Sequence, residues 1–448
     1  MFDIKAFFKL LWPVLIEQIL ATTIGMVNTM MVSGVGTYAI SAVSIVDSVN
    51  FVIMNLFIAF STGATVIVAQ RIGARDYKRA NESASHSMSA CVFAALVSGL
   101  AFIFLGNQII NFLFGEAEEL VKSNALIYLV FSGISYPFLA IFSMSAGILR
   151  ASGDTKAPMR ASILSNTVNA GIGALCIYVL KLGVTGAGIA LLSARVVSAV
   201  ILFTILLRPG TGVGIKKITV KLKRDILWPV MRIGLPASID GLIFNGGKLL
   251  IQTLVTSLGT VSLATNGVSA SVISLINIPG NAIALVAVTI IGQSVGAGIY
   301  GKALKKNIFS LVICAMVLLI VMILLIFPLL PFILELYSPP PDVKSYALSI
   351  LQLVLFFMPF TWPTAFILPA CLRSTGDSLY VTIISVLSMW LIRVLGGWIS
   401  VKHLGLGLTG IWFFWCMDWV ARSIIFFFRG RTSRYVNKPQ RLNDTPVT

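Results

Sequence analysis

The sequence predicts an all-α polytopic membrane protein, with twelve transmembrane helices in two six-helix bundles related by a parallel pseudo-two-fold repeat. Two observations lead to this fold class: an apolar composition and an internal repeat. Of the 448 residues, 57% are hydrophobic and 11% are charged, and the mean hydropathy is +0.96. Soluble domains average about 25% charged residues. A chain this poor in charge cannot cover itself with a water-compatible surface, so we expect it to be embedded in a lipid bilayer.

Twelve apolar segments are long enough to cross the hydrocarbon core, which takes about 20 helical residues. The first follows Lys5 and Lys9, is longer than the core of a secretory signal peptide and ends in no small-residue cleavage site, so we interpret it as an uncleaved helix. The predicted spans cover residues 10–33, 39–69, 84–106, 122–148, 158–180, 185–207, 232–257, 261–292, 304–330, 343–371, 378–401 and 407–429.

The basic residues alternate between the two sides of these spans. With the N-terminus inside, 25 of the 33 fall on the inner side, four on the outer side, and four (Arg195, Lys248, Arg393 and Arg422) within spans. Cytoplasmic segments carry the excess of Lys and Arg. We therefore expect both termini in the cytoplasm. The distribution also accounts for the net charge of +17 without a nucleic-acid partner.

The chain repeats itself at a nearly constant offset. "RASGDT" at 150–155 returns as "RSTGDS" at 373–378, and "AQRIGARDYKRA" at 69–80 returns as "GQSVGAGIYGKA" at 292–303, both 223 positions later. "LGVTG" at 182–186 returns one position late, as "LGLTG".

The repeat predicts two bundles, residues 1–207 and 232–448, joined by a basic cytoplasmic linker at 208–231, with a short basic tail after the last span. Each half holds an even number of spans, so both halves have the same orientation. Parallel repeats of this kind form alternating-access transporters with the substrate site at the repeat interface.

Several motifs, in order, resemble the multidrug and toxin extrusion (MATE) family. They are "LWPVLIEQIL" and "GMVNTMMVSGVGTYAISAVSIVDSVN" in the first two spans, "AQRIGARD" at the end of the second and "GILRASGDTKAPM" at the end of the fourth. The resemblance covers nearly the whole chain. It implies two six-helix bundles that export organic cations or other amphiphiles against entry of H⁺ or Na⁺.

The first-half cation site that the resemblance implies is altered in this chain. Family members usually carry an acid in a "VDT"-like triplet of the first span, where this chain has "VNT" with Asn28. Many prokaryotic members place a second acid four residues after an Asn in the fifth span, where Asn169 is followed by Gly173. Both acids are missing. Asn28, Asn166 and Asn169 remain candidates to line a polar substrate pocket.

Four acids lie within spans: Glu17, Asp47, Asp240 and Asp418. Glu17 and Asp240 occupy equivalent repeat positions, and a carboxylate in a low-dielectric cleft can load and release a proton. Intramembrane ionisable groups are functional by default. We therefore treat Glu17, Asp240 and Asp47 as candidates for cation coupling. A carboxylate hydrogen-bonded between helices is the alternative for Glu17 and Asp240, and exposure to water is the alternative for Asp47.

Lys248 lies eight residues beyond Asp240, too far for adjacent helix neighbours. The resemblance adds that a subset of bacterial members carries an acid and "GK" in this span. Lys248 is therefore a further coupling candidate with Asp240, and a fixed structural ion pair between them is the alternative. Asp418 and Arg422, four residues apart, predict a local helix pair. Arg393 and Arg195 have either Asp418 or a carbonyl as partner.

The remaining candidates concern the substrate cavity. Pro359, Pro363 and Pro369 predict a bent tenth span, and bends of this kind are tolerated where they line a cavity or pack against neighbours. Aromatic rings can contact a cationic substrate, although packing is the alternative for each ring. The candidates in this group are Tyr136, Trp362, Asn266, Asn277 and Asn281.

These observations, with the resemblance, predict a secondary antiporter that exports organic, cationic and amphiphilic compounds in exchange for H⁺ or Na⁺. We expect it in a bacterial or archaeal cytoplasmic (inner) membrane. A lipid or lipid-linked-sugar flippase of a related fold is the transporter alternative. A membrane enzyme is less favoured, because the two His belong to no H-E-x-x-H motif. We expect no catalytic residues, no metal site and no cofactor beyond the coupling ion, and the partners expected are a small organic substrate and the bilayer. We also expect a monomer.

Overall fold

The computed structural model describes residues 3–115, 118–208, 213–215, 222–335, 337, 340–432 and 436. Within these ranges the chain is helical without β-strands, and twelve helical segments are long and apolar enough to cross a membrane. The predicted fold class is confirmed. Residues 209–212 and 216–221 of the predicted linker, and the basic tail after 432 apart from Val436, lie outside the described residues.

The helices follow the predicted spans with one additional break. The first half contains α1 Ile4–Ser33, α2 Thr37–Gly73, α3 Tyr77–Phe104, α4 Gly106–Phe114, α5 Glu119–Ala151, α6 Lys156–Ala174 and α7 Gly183–Leu207. The second half contains α8 Arg224–Thr256, α9 Thr260–Ile276, α10 Ile278–Gly296, α11 Lys302–Ile326, α12 Leu330–Glu335, α13 Pro341–Trp362, α14 Leu368–Ser374, α15 Ser378–Ser388, α16 Leu395–Lys402 and α17 Gly407–Thr432.

The internal repeat is visible in where the helices end. Equivalent ends lie 223 positions apart: Ser33 and Thr256, Gly73 and Gly296, Ala151 and Ser374. The repeated "SGD" and "TGD" turns match as well, because Gly153 and Gly376 both take left-handed backbone angles, with φ of +89° and +101°. Glycine adopts this region without the steric penalty of a Cβ. The sequence repeat is therefore also a structural repeat.

Three helical runs contain a π-helical segment. One continues α6 (Leu175–Val179), one joins α13 to α14 (Pro363–Ile367) and one joins α15 to α16 (Met389–Val394). The second lies at the predicted bend of the tenth span, where prolines interrupt the hydrogen-bond ladder. π-bulges are frequent at functional sites. The third is of most interest here because it carries Arg393.

The predicted eighth span, 261–292, is two helices in the structure. The break falls at Asn277, between α9 and α10, and Pro279 stands in the first turn of α10. Proline is favoured at this position because it has no N–H to leave unsatisfied. The sequence predicted a single span here, with Asn277 as a cavity candidate.

The chain divides into two compact units. The N-terminal unit comprises Phe8–Ser238, and the C-terminal unit comprises Ile239–Thr448 together with Met1–Phe7. The boundary between them lies within α8, so the first turns of α8 pack in the N-terminal unit. A Cβ added to Gly63 of α2 would lie 2.4 Å from the Val230 carbonyl oxygen of α8. Such close helix packing requires small residues in membrane proteins.

Each unit is organised around its own central helices. In the N-terminal unit α5 packs against α2, α3 and α7, and in the C-terminal unit α17 packs against α13, α16 and the two π-helical segments of that unit. Polar side chains on these central helices are therefore held inside a bundle.

Candidate functional site

Each unit contains one buried carboxylate–arginine pair at equivalent repeat positions. In the N-terminal unit the Arg150 guanidinium donates to both carboxylate oxygens of Glu17, at 2.9 and 3.1 Å. In the C-terminal unit the Arg373 guanidinium donates to one carboxylate oxygen of Asp240. Both acids lie on the helix that opens its half of the repeat, and both arginines lie at the end of a later helix of the same half. The charge-assisted bonds fasten α1 to α5 and α8 to α14.

Lys248 does not pair with Asp240, which corrects the ion-pair alternative for these two residues. Asp240 forms its salt bridge with Arg373 instead, and the ammonium nitrogen of Lys248 lies 5.0 Å from the centroid of the Phe244 ring. Lys248 is exposed, and the nearby Arg393 charge repels it. Asp240, Phe244 and Lys248 follow one another at intervals of four, so they form one stripe along α8.

The stripe on α8 belongs to a charged cluster centred on Asp418, which is fully buried. Arg393 donates to one of its carboxylate oxygens at 2.5 Å and Arg422 donates to the other at 2.8 Å. The Ser388 hydroxyl also hydrogen-bonds Asp418. The local pair between Asp418 and Arg422 is confirmed, and Arg393 is a second partner of the same carboxylate.

Aromatic rings enclose the two guanidinium groups of this cluster. The guanidinium carbon of Arg393 lies 4.4 Å from the Trp415 ring centroid and 5.2 Å from that of Phe244. That of Arg422 lies 5.5 Å from Phe244. A desolvated cation over an aromatic face is attracted by about 2 kcal/mol or more. Phe244 thus contacts three cations, since Lys248 lies over the same ring.

The N-terminal unit holds a hydrogen-bonded polar network instead of a cationic cluster. The Tyr136 hydroxyl donates to the Asn50 Oδ1 at 2.8 Å, and the Asn50 amide donates to Ser132 at 3.1 Å and, more weakly, to Asp47 at 3.4 Å. Arg195 attracts Asp47 electrostatically. Arg195 also donates to the hydroxyl of Ser135 at 2.6 Å, so its partner is a serine rather than Asp418.

Asp47 differs from the other acids of the spans. Its side chain is exposed, whereas Glu17 and Asp418 are buried and Asp240 is mostly buried. It also forms no salt bridge within the described part of the chain; Arg195 acts on it only at longer range. Asp47 therefore has the most exposed side chain among the acids of the spans.

The asparagines of the first half have different environments. The Asn166 amide donates to the Leu20 carbonyl at 3.0 Å and links α6 to α1, and Asn28 is half-buried. Asn169 is buried, and its Oδ1 lacks a hydrogen-bond donor among the described residues. A buried acceptor without a partner requires an explanation. Asn169 therefore stays a candidate for the polar pocket.

The remaining cavity candidates lie in the C-terminal unit. Trp362 is buried, stacks on Phe366 at 4.9 Å and fills the space beside Gly280. These contacts account for Trp362 as a packing residue. The other three candidates are asparagines. Asn266 donates to Gln252, Asn277 stands at the break between α9 and α10, and Asn281 is exposed.

The sequence analysis did not identify several partners that the structure reveals. Arg150 and Arg373 had a signal, because they repeat at the same offset as Glu17 and Asp240, but they were assigned to cytoplasmic segments. Long arginine side chains reach several ångströms along a helix surface, so a residue near a helix end can still pair inside the span. Phe244 carried no signal that separated it from a packing residue.

A multi-helix membrane protein built from a parallel repeat, with charged pairs inside its spans, has the organisation of a secondary transporter. The MatE family model matches residues 13–175 and 236–399, the two halves of the repeat. The chain belongs to the MatE family and is a multi-pass membrane transporter, not an enzyme.

Individual relatives agree with this assignment. A Thermotoga maritima protein named "Probable multidrug resistance protein NorM" is 28% identical over 95% of this chain and 92% of its own length. The crystal structure of a MATE protein in its bent conformation superposes with a TM-score of 0.88 at 23% identity, over 95% of this chain and 94% of that one. A MOP superfamily transporter from Pyrococcus furiosus, described by the reverse polarity of its binding pocket, has the same TM-score at 22% identity, over 95% of both chains.

Proposed function

We propose that this protein exports amphiphilic organic compounds from the cytoplasm by antiport against H⁺. The two structural repeats support alternating access, and the name of the Thermotoga relative supports a drug-like substrate range. The distribution of basic residues supports a cytoplasmic-membrane location with both termini inside.

The surroundings of the acids favour H⁺ over Na⁺. Glu17, Asp240 and Asp418 each accept from at least one arginine, and Asp47 has Arg195 nearby. A bound Na⁺ needs several oxygen ligands and would share each of these carboxylates with a guanidinium of the same charge. A proton needs only the carboxylate oxygen and neutralises it, which weakens the hold of the neighbouring arginine.

The observation that carries the proposal is the exposed Asp47 at the edge of the buried network. Protonation of Asp47 would remove the negative charge that attracts Arg195. Arg195 and Asn50 both bond hydroxyl groups on α5, at Ser135 and Ser132. A proton on Asp47 would therefore change the contact between α2, α5 and α7, which are the central helices of this unit.

Transport by purified protein in proteoliposomes tests the proposal. The test substrates are rhodamine 6G and sulforhodamine B, which share a xanthene ring system and carry opposite charges. Each dye is tested with a pH gradient, a Na⁺ gradient or no gradient. We expect ΔpH alone to accelerate transport of at least one dye, and we expect Asp47→Asn to lose that acceleration. The matched control is Asp342→Asn, an exposed acid in the first turn of α13. Acceleration by a Na⁺ gradient alone, or full ΔpH-driven transport by Asp47→Asn, would contradict the proposal.

A flippase for lipids with anionic headgroups is the second candidate. It is favoured by the basic cluster of Lys248, Arg393 and Arg422, which suits a phosphate better than an organic cation. A flippase would move a fluorescent phospholipid between leaflets without a ΔpH requirement, and the proposed antiporter would not.

A further inference from the structure

The charged cluster of the C-terminal unit carries more positive than negative charge. Four cations, Arg373, Arg393, Arg422 and Lys248, surround two acids, Asp240 and Asp418. The charged groups described above for the N-terminal unit balance, because Glu17 pairs with Arg150 and Asp47 has Arg195 nearby. Uncompensated charge inside a membrane span is expensive. An excess of two positive charges in the C-terminal unit therefore needs a function.

Lys248 and one of the two arginines that share Asp418 account for this excess. Asp240 forms a salt bridge with Arg373, and the Asp418 carboxylate forms salt bridges with both Arg393 and Arg422. Arg393 is the neighbouring charge that acts on Lys248, and it has the same sign. Two cations next to each other repel unless an anion comes between or beside them. Lys248 is exposed, so an anionic group can reach it.

Arg393 has hydrogen-bonding capacity that the protein does not use. It is 1% exposed, and its Nε and Nη1 groups lack an acceptor among the described residues, while Nη2 bonds Asp418. Arginine carries five N–H donors and no acceptor. A buried donor without a partner loses its hydration without compensation. The unmatched donors of Arg393, between Phe244 and Trp415, are suited to the oxygens of a planar anionic group.

We infer that the C-terminal unit binds an anionic group of the transported compound, with Lys248 as the accessible contact and Arg393 behind it. The Phe244 ring, which touches both cations, gives an apolar and aromatic substrate body a surface beside the charge. The substrate class is thus an amphiphile with a carboxylate, sulfonate or phosphate next to an aromatic or apolar body. This inference rests on the proposed export function, and it reverses the charge of the substrate that the sequence analysis favoured.

Equilibrium binding in detergent tests this inference without any ion gradient. Sulforhodamine B, whose sulfonates stay ionised, and rhodamine 6G are titrated against the wild type by fluorescence polarisation. We expect sulforhodamine B to bind more tightly. Hydrogen bonds to charged groups are worth about 1.5–3 kcal/mol, so Lys248→Gln should weaken sulforhodamine B binding at least about tenfold. Lys248→Arg should retain most of it, and Lys302→Gln, at the exposed start of α11, should leave it unchanged.

Displacement then identifies the source of the anion. Release of sulforhodamine B by dodecyl phosphate but not by inorganic phosphate points to a lipid-like amphiphile, and release by small aromatic sulfonates points to a free organic anion. Both results support an anion site. Tighter binding of rhodamine 6G, no binding of sulforhodamine B, or unchanged affinity in Lys248→Gln would overturn it.

The two proposals fail separately. Loss of the anion preference, with ΔpH-driven transport of rhodamine 6G intact, would remove the anion site and leave the antiporter. Tight binding of sulforhodamine B without any ΔpH-driven transport would remove the antiporter and leave the anion site.

Discussion

Asp418→Asn is predicted to be among the most destabilising single changes in the C-terminal unit. The wild-type carboxylate is fully buried and accepts from Ser388, Arg393 and Arg422. The substitution keeps the size of the side chain and removes its charge, which leaves two buried cations without their shared anion. Removing one partner of a buried ion pair costs about 3–5 kcal/mol. We expect the free energy of unfolding to fall by about that amount.

Reversible unfolding in mixed detergent micelles, followed by tryptophan fluorescence, gives the measurement. The matched control is again Asp342→Asn, for which a change within about 0.5 kcal/mol is expected at an exposed position. In the double variant with Arg393→Met, one of the stranded cations is gone. The two changes should therefore couple by about 0.5–3 kcal/mol, with the double variant losing less than the sum of the single changes. A loss below about 1 kcal/mol for Asp418→Asn, or strictly additive changes, would refute the assignment of Asp418 as the shared counter-ion.

Two further stability predictions use the same assay. Gly280→Ala should lower the free energy of unfolding by about 1–3 kcal/mol, because the new Cβ would lie 2.2 Å from a ring atom of Trp362. The control is Gly267→Ala, whose Cβ meets no atom within 4 Å, and this change should be neutral or slightly stabilising. Equal effects of the two substitutions would contradict the packing of Trp362 against Gly280. Glu17→Gln should lower the free energy of unfolding by about 1.5–3 kcal/mol. The double variant that exchanges the charges, Glu17→Arg with Arg150→Glu, should recover part of this stability. No recovery would mean that the ion pair is not the source of the loss.

The fold was predictable because it depends on composition and on one repeated offset. Apolar segments of about 20 residues must be helical in a bilayer, since every backbone N–H and C=O needs an internal partner. The break at Asn277 was missed because the predicted eighth span corresponds in the repeat to the predicted second span, which is a single helix, α2. Pro279 is a local signal for the break, but proline also stands within an unbroken helix of this chain, as Pro137 does in α5.

The site was predictable only in part, because its contacts join helices that are far apart in sequence. The pair between Asp418 and Arg422 lies four residues apart on one helix, and helix geometry alone predicted it. Asp240 pairs with Arg373 and Arg195 bonds Ser135, and in both cases the partner lies on another helix. No spacing rule selects such partners. Only the repeat carried information about the long-range pairs, because Glu17 with Arg150 and Asp240 with Arg373 keep the same separation of 133 residues.

Antiport through Asp47 requires that substrate binding and proton binding oppose each other. Proton release on substrate addition measures this directly, in weakly buffered detergent solution at a pH where the wild type still holds the proton. A pH electrode records the release. Because sulforhodamine B and rhodamine 6G do not titrate near neutral pH, the dyes themselves contribute no protons. We expect a transported dye to release protons from the wild type in proportion to the amount of protein, and we expect Asp47→Asn to bind the dye and release none. Binding without proton release in the wild type, or equal release in Asp47→Asn, would contradict it.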